Sequence, residues 1–303
     1  MTNLVLTRLL VPEMFGLMAI VNIILLGLNL FSDLGLTPNV VQSKRGEDKD
    51  FLNTVWVTQC LRGMVLCVLT LLIGVVVYLS QSYSIIESDS VYGNSLFPII
   101  ILVMAISPLV SGFNSTNIMS ASRELNLRRL SIMTVLTQAI SSLLMVILAY
   151  HYKSVWALII GALVGVSLRC FLSHSFLASF RNSFYWNQKY FWEIIHFGKW
   201  IFISTILAYV INQSDRLYLA GNLTAGELGV YSIAFYLSSS ILMVIGKLYG
   251  GVFFPALCDI CRTNHDNLSN VYYKLRFRID ILAYVSFGII SVSYTHLTLP
   301  TKA

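Results

Sequence analysis

The 303 residues are 56% hydrophobic and only 11% charged, with a formal net charge of +6. Soluble domains carry about 25% charged residues, so this chain has too little polar surface to cover itself in water, and an ordinary soluble domain is excluded. Its Lys and Arg fall in short loops between apolar runs, the pattern that orients membrane proteins, which removes the nucleic-acid reading that a basic balance would otherwise invite.

In chain order, the first ten residues form a short apolar stub that runs into Arg8, Pro12 and Glu13. It has neither a basic leader nor a small-residue cleavage site, so it reads as the tail of a truncated first helix and not as a signal peptide. Apolar runs then cover residues 13–36, 54–79, 95–117, 131–150, 154–178, 198–220, 227–255 and 277–291. A bilayer core of roughly 30 Å needs about 20 apolar residues per helix, so about eight transmembrane spans are expected, the last of them incomplete. That last run stops at Ser291–Ala303, a string that resembles a translated sequencing-adapter tail; residues 292–303 are expected not to be native. Both ends therefore read as those of a fragment.

The connecting loops alternate in charge. Residues 42–50 hold Lys44, Arg45 and Lys49, whereas 80–94 hold Glu87 and Asp89 without Lys or Arg. Residues 120–130 carry Arg123, Arg128 and Arg129, and the turn at 150–154 has only Lys153. Arg181, Lys189 and Lys199 lie in 180–199, none in 221–226, and Arg262, Lys274, Arg276 and Arg278 in 258–278. The basic loops are expected to be cytoplasmic and the stub to end outside. Around Arg123–Arg129 and Tyr185–Trp192 charges mix with Leu or aromatic residues, as in an interfacial amphipathic helix or a polar connector.

A helix that lines an aqueous path carries polar residues at helical spacing on one side. Four spans do so: Asn22, Asn29 and Asp33; Thr54, Thr58 and Arg62; Ser107, Ser111 and Asn114 beside Pro108; and Thr205, Tyr209, Asn212 and Arg216. Any one Ser, Thr or Asn is more often glue between packed membrane helices. The ionisable residues Arg62, Arg169, Asp215, Arg216 and Lys247 are sharper, because a charge at a helix centre costs roughly 2.5–3.5 kcal/mol and so faces a cavity or a partner. For Arg62 and Lys247 the competing reading is snorkelling towards the headgroups. Asp215 and Arg216 are sequence neighbours, so they point about 100° apart on a helix and need not pair. Together these residues describe a cationic, hydrated interior suited to a phosphorylated or acidic cargo.

The five cysteines add little. Cys60, Cys67 and Cys170 lie in apolar runs as small hydrophobes. Cys258, Cys261 and His265 have a metal-like spacing, but no second ligand cluster follows, and no metal is expected.

Ordered motifs carry a family resemblance. Thr7-Arg8-Leu9-Leu10-Val11-Pro12-Glu13-Met14-Phe15-Gly16-Leu17-Met18-Ala19 resembles the opening of Wzx-type oligosaccharide flippases. It is followed, as in that family, by Phe31-Ser32-Asp33-Leu34-Gly35-Leu36 and Gln42-Ser43-Lys44-Arg45-Gly46. Phe197-Gly198-Lys199-Trp200 and Asn212-Gln213-Ser214-Asp215-Arg216-Leu217 are similar to the start of the family's second lobe. Gly229-Val230-Tyr231-Ser232-Ile233-Ala234 and Phe254-Pro255-Ala256-Leu257 continue the match. A short internal repeat accompanies it: Leu10–Leu17 aligns without gaps on Leu223–Val230, as in transporters built from two similar halves.

The resemblance implies an all-α, MATE-like fold of two helical lobes around a central cavity that opens alternately to either side. Residues 1–180 would form the first lobe, 181–197 a cytoplasmic linker and 198–291 the start of the second lobe. It further implies translocation of undecaprenyl-diphosphate-linked oligosaccharide across the bacterial inner membrane for O-antigen, capsule or exopolysaccharide synthesis, beside polymerase and glycosyltransferases of the same pathway. The expected contacts of diphosphate and sugar are Arg62, Arg169, Arg216, Lys247, Asn212, Asn22 and Asn29, since arginine offers a fork to phosphate oxygens. Asp215 and Asp33 are the candidates for proton or sodium coupling; no cofactor is expected. A multidrug or cation antiporter of the same fold is the first alternative, with an acidic, aromatic cavity in place of arginines. A polysaccharide polymerase or ligase is the second, and it would need a large external loop with reactive groups, which 80–94 does not supply.

Overall fold

A computed structural model describes residues 2–83, 90–177, 180–263 and 268–298. The protein is an all-α polytopic membrane protein, with no strand among the described residues. In order the helices are α1 (Thr2–Leu9), α2 (Pro12–Leu30), α3 (Leu36–Gln42), α4 (Lys49–Ser82), α5 (Phe97–Met104), α6 (Ile106–Gly112), α7 (Asn117–Arg123), α8 (Leu127–Tyr152), α9 (Trp156–Ser175), α10 (Gln188–Asn222), α11 (Ala225–Leu248), α12 (Phe254–Thr263) and α13 (Leu268–Thr298). Among the described residues six helical stretches are long and apolar enough to cross a bilayer, or up to seven with one bent pair counted as a span. The expected eighth span, 277–291, falls on α13, where several side chains lie outside the described residues. Glu87, Asp89 and His265 lie outside them altogether.

Two expected spans end differently from the apolar pattern. Residues 13–36 do not form one helix. Ser32 turns its hydroxyl back onto the carbonyl of Leu28, and the Asp33 carboxylate accepts the Gly35 amide at 2.8 Å, so local side-chain bonds replace the helical ladder after Leu30. Residues 95–117 are not one helix but fall on a bent pair, with Phe97–Gly112 meeting Asn117–Arg123 at 57°. Irregular backbone at membrane depth must have its carbonyls satisfied by the protein. Here Gln59 of α4 does so: its Nε2 donates to the carbonyls of Gly112 and Asn114 at 3.0 Å each, and to Ser111 at 3.4 Å. Beside it α4 and α6 cross at Gly63 and Gly112, where a Cβ on Gly63 would lie 2.8 Å from the Pro108 carbonyl oxygen.

The chain divides into two compact units, Met1–Phe235 and Tyr236–Ala303. In the first, a core of α1, α2, α5, α8, α9 and α10 side chains includes Leu17, Ile20, Phe97, Ile100, Ile159 and Tyr209. Outward faces are apolar too: Leu61, Val65, Val68, Leu72 and Val76 run along α4 at helical spacing, exposed as a lipid-facing stripe would be. In the second unit, Tyr249, Phe253 and Tyr272 form successive edge contacts at 5.1 and 5.9 Å.

The repeated segments meet within the first unit. A Cβ on Gly16 would run into the carbonyl of Ala225, and one on Gly229 into that of Pro12. In the gapless alignment Pro12 corresponds to Ala225 and Gly16 to Gly229. The alignment therefore carries the contact Gly16–Ala225 onto the contact Gly229–Pro12, the reciprocity of a two-fold interface.

Candidate functional site

A cavity of about 320 Å³ opens between α2, α3, α4, α6, α7 and α9. The polar end of α2 contributes Asn29 and Asp33, α4 contributes Gln59 and Arg62, the bend in the third span contributes Ser111 and Asn114, and α9 contributes Arg169. These polar groups stand beside helix walls of Leu36, Leu66, Pro108 and Met119. Such a mixture, apolar walls with a few placed polar groups, is the ordinary make-up of a ligand site.

The two arginines of the cavity are held differently. Arg62 is anchored: its Nε donates to Ser32 Oγ at 2.9 Å, and one terminal nitrogen donates to the Asn29 carbonyl at 2.7 Å. The other terminal nitrogen has no partner among the described residues, so the guanidinium is aimed yet still has donors to give. Arg169 is exposed to the cavity and makes no hydrogen bond or ion pair with any described residue. With Asp33 as the acidic wall residue, the cavity holds two cations against one anion. It can receive an acceptor-rich anionic group on two guanidinium forks, with amide and hydroxyl groups alongside for neutral polar atoms.

Thus Asn29, Asp33, Arg62 and Arg169 come together, and the other expected residues lie elsewhere. Asn22 is exposed on α2, off the cavity. Asn212 is exposed and its amide donates to the Ala208 carbonyl of its own helix at 2.7 Å. Arg216 is buried, 4.5 Å from the Phe235 ring centroid, with one donor on Gln213. Asp215 accepts from the Tyr231 hydroxyl at 2.7 Å. Lys247 is exposed and lies in the second unit. The polar stripe on α10 is in part helix glue: Thr205 donates to the Leu30 carbonyl and Tyr209 to that of Ile23. Thr54 and Thr58 bond back along α4, to the carbonyls of Asp50 and Thr54.

Gln59, Thr37 and Ser115 line the cavity without having been singled out in the sequence. Gln59 falls one residue past Thr58 on the stripe that leads to Arg62, so the stripe pointed near it. Its three carbonyl acceptors, more than 50 residues away, could not be read from spacing. Arg123, which reads in sequence as a loop charge, is buried and structural. It donates to the carbonyls of Val40, Val41 and Ser43 at the end of α3 and meets Glu47 at 3.4 Å. No group of three or more His, Cys, Asp or Glu among the described residues is placed to hold a metal.

Comparison with known proteins follows the same line. A family model described as "Polysaccharide biosynthesis protein" matches residues 5–297. The lipopolysaccharide biosynthesis protein WzxC of Escherichia coli K12 is 23% identical over 292 residues, covering 95% of this chain and 56% of that protein. An uncharacterized membrane protein of the cps region of Klebsiella pneumoniae is 23% identical over 289 residues, covering 93% of this chain and 56% of its own length. The chain thus spans a little over half the length of these curated relatives. No solved structure matches.

Proposed function

Since the chain belongs to the polysaccharide biosynthesis protein family, whose model spans nearly all of it, we propose that it is the flippase part of that process. In this reading it is a transporter, not an enzyme, and moves undecaprenyl-diphosphate-linked oligosaccharide across the bacterial inner membrane with its basic loops in the cytoplasm. The observation that carries the reading is the cavity that gathers Arg62 and Arg169 beside Asn29, Gln59 and Asn114. A diphosphate presents acceptor oxygens to the two guanidinium forks. The sugars take the amide and hydroxyl groups, and the lipid tail stays in the bilayer. Translocation makes and breaks no covalent bond; it requires only that the cargo bind two conformations differently.

Polymerase and glycosyltransferases that make and consume the lipid-linked unit are the natural neighbours. Coupling is assigned to Asp33, on the cavity wall, and Asp215, bonded to Tyr231. Each charge that moves down 100 mV supplies about 2.3 kcal/mol, enough to bias the two states of a carrier. If Asp33→Asn and Asp215→Asn leave the dependence on proton and sodium gradients unchanged, neither residue couples.

The test is a proteoliposome assay with a fluorescent undecaprenyl-diphosphate oligosaccharide and a membrane-impermeant quencher. A transporter that contains this chain is expected to move the label across, and Arg62→Ala with Arg169→Ala to slow it by about 100-fold, two charge-assisted contacts being lost. Transport no faster than in protein-free vesicles, or a double variant as fast as the parent, overturns the assignment. Efflux of a cationic dye from the same vesicles, without movement of the lipid, would instead indicate an antiporter.

A further inference from the structure

A second cavity, of about 450 Å³, lies between the carbonyl end of α3 and the first turns of α10. Asn39, Gln42, Ser43, Lys44 and Arg45 line it from one side, and Glu193 and Phe197 from α10. It shares no lining residue with the cavity that holds Arg62 and Arg169.

Two of its polar groups, on Asn39 and Lys44, are donors without an acceptor among the described residues. Asn39 is only 3% exposed, and its Nδ2 has no hydrogen-bond partner among the described residues. Buried amide donors are almost always satisfied, so this one has capacity for an acceptor from outside the described residues. Lys44 is exposed at the mouth and makes no hydrogen bond or ion pair with a described residue. The acidic residue in the wall, Glu193, is already engaged: it meets Arg45 at 2.9 Å. Arg45 in turn stands 5.5 Å from the Tyr190 ring centroid, and the Tyr190 hydroxyl donates to Asp48 at 3.0 Å.

A helix end normally repels anions because its last carbonyls are unpaired. At α3 that objection is reduced, since the Arg123 guanidinium occupies the carbonyls of Val40, Val41 and Ser43. What lines the cavity is then the ammonium of Lys44 and the guanidinium of Arg45, with the buried, unpartnered amide of Asn39 behind them.

We propose that this cavity binds a phosphate group, and that a phospholipid headgroup of the cytoplasmic leaflet supplies it. Phosphate is the acceptor-rich, anionic partner that such a donor set takes. Phe197 adds an apolar wall next to Gly198, where the long apolar run of α10 begins, so the ligand sits where headgroup and acyl chain divide. Basic pockets between helices on the cytoplasmic side bind anionic headgroups in this way. Only the choice of leaflet rests on the orientation given under the proposed function; the phosphate site itself does not.

The test titrates the detergent-solubilised full chain with short-chain phosphatidylglycerol, with phosphatidylcholine and with inorganic phosphate. Phosphatidylglycerol is expected to bind saturably. Phosphatidylcholine, whose trimethylammonium meets Lys44 and Arg45, binds at least about tenfold more weakly. Lys44→Glu, at an exposed position, weakens phosphatidylglycerol binding by about tenfold or more without lowering the melting temperature, and Asn39→Leu weakens it by about threefold. Equal binding of the two lipids, or an unchanged Lys44→Glu variant, overturns the site. Inorganic phosphate that displaces the lipid at comparable concentration leaves a phosphate site and overturns the headgroup as its source. The leaflet is tested separately by labelling Lys44→Cys, in a background with its five cysteines replaced by serine, with an impermeant maleimide. Labelling only from outside reverses the orientation and leaves the titration standing.

Discussion

The two ends of α2 do opposite work. Over the first turns every residue from Phe15 to Val21 is buried, and Gly16 lies directly against the backbone of Ala225 and Gly229. Over the last turns Asn29, Ser32 and Asp33 are half-buried, and where the backbone leaves the helix Arg62 donates to the Ser32 hydroxyl and the Asn29 carbonyl. The dry end is specified by volume: two small residues let two backbones touch, and nothing polar is left over. The wet end is specified by hydrogen bonding and leaves donors unused. One helix therefore joins a tight crossing of repeated segments to the wall of a cavity.

The difference is broken most severely at the crossing. Gly16→Leu forces a side chain into the Ala225 carbonyl, and overpacking of this kind costs about 1–3 kcal/mol or more when backbone cannot yield. It is expected to lower the melting temperature more than any single change at the cavity. Gly229→Leu, its repeat counterpart, is expected to match it. The double variant should lose less than the sum, because the same interface has to open only once. A fluorescence-detected melt checks all three; if Gly16→Leu melts with the parent, the helices do not touch there.

A smaller effect is expected from Gln59→Leu. Its amide holds three carbonyls at the bend of the third span, and the leucine leaves them without that donor, at a cost of about 1–3 kcal/mol. Because the same bend presents Ser111 and Asn114 to the cavity, stability and transport should fall together. Gln59→Glu separates the two roles: it keeps the shape but sets a carboxylate against carbonyl oxygens, and should be at least as damaging as leucine. A Gln59→Glu variant as stable as the parent would mean that the bend is held by something else.

The apolar runs were legible because a bilayer leaves little choice about how many apolar residues a span needs. What hydropathy could not show is where a run stops being helix. The turn after Leu30 depends on Ser32 and Asp33 bonding locally, which a short polar cluster hints at. The bend at residues 113–116 depends on Gln59, contributed by another helix. The cavity was half legible for the same reason. Arg62 and Arg169 stood out as charges in apolar runs, yet their meeting across one space is tertiary. Arg216 stood out equally and lies buried under Phe235, while Thr205 and Tyr209 turn their hydroxyls to the backbone of α2. A polar stripe announces that a helix face is not lipid-facing; whether water, cargo or a neighbouring carbonyl covers it depends on the neighbour.

The smallest expected change in stability gives the sharpest comparison. Arg169→Gln removes a side chain that no described residue bonds, so no partner is left unsatisfied, and the melt should move by no more than the equivalent of about 0.5 kcal/mol. Transport should nevertheless fall by about tenfold, since one charge-assisted contact to phosphate is worth at least about 1.4 kcal/mol. Arg62→Gln, on α4, also loses its bonds to Ser32 and Asn29 and should lower both stability and flux. The pair thus distinguishes a cation kept for cargo from one that also holds the wall. If both variants lose stability alike, Arg169 is packing glue and the cavity is no more than a gap between helices. If Arg169→Gln loses flux alone, its guanidinium is held open at some electrostatic cost for a ligand that arrives from outside the protein.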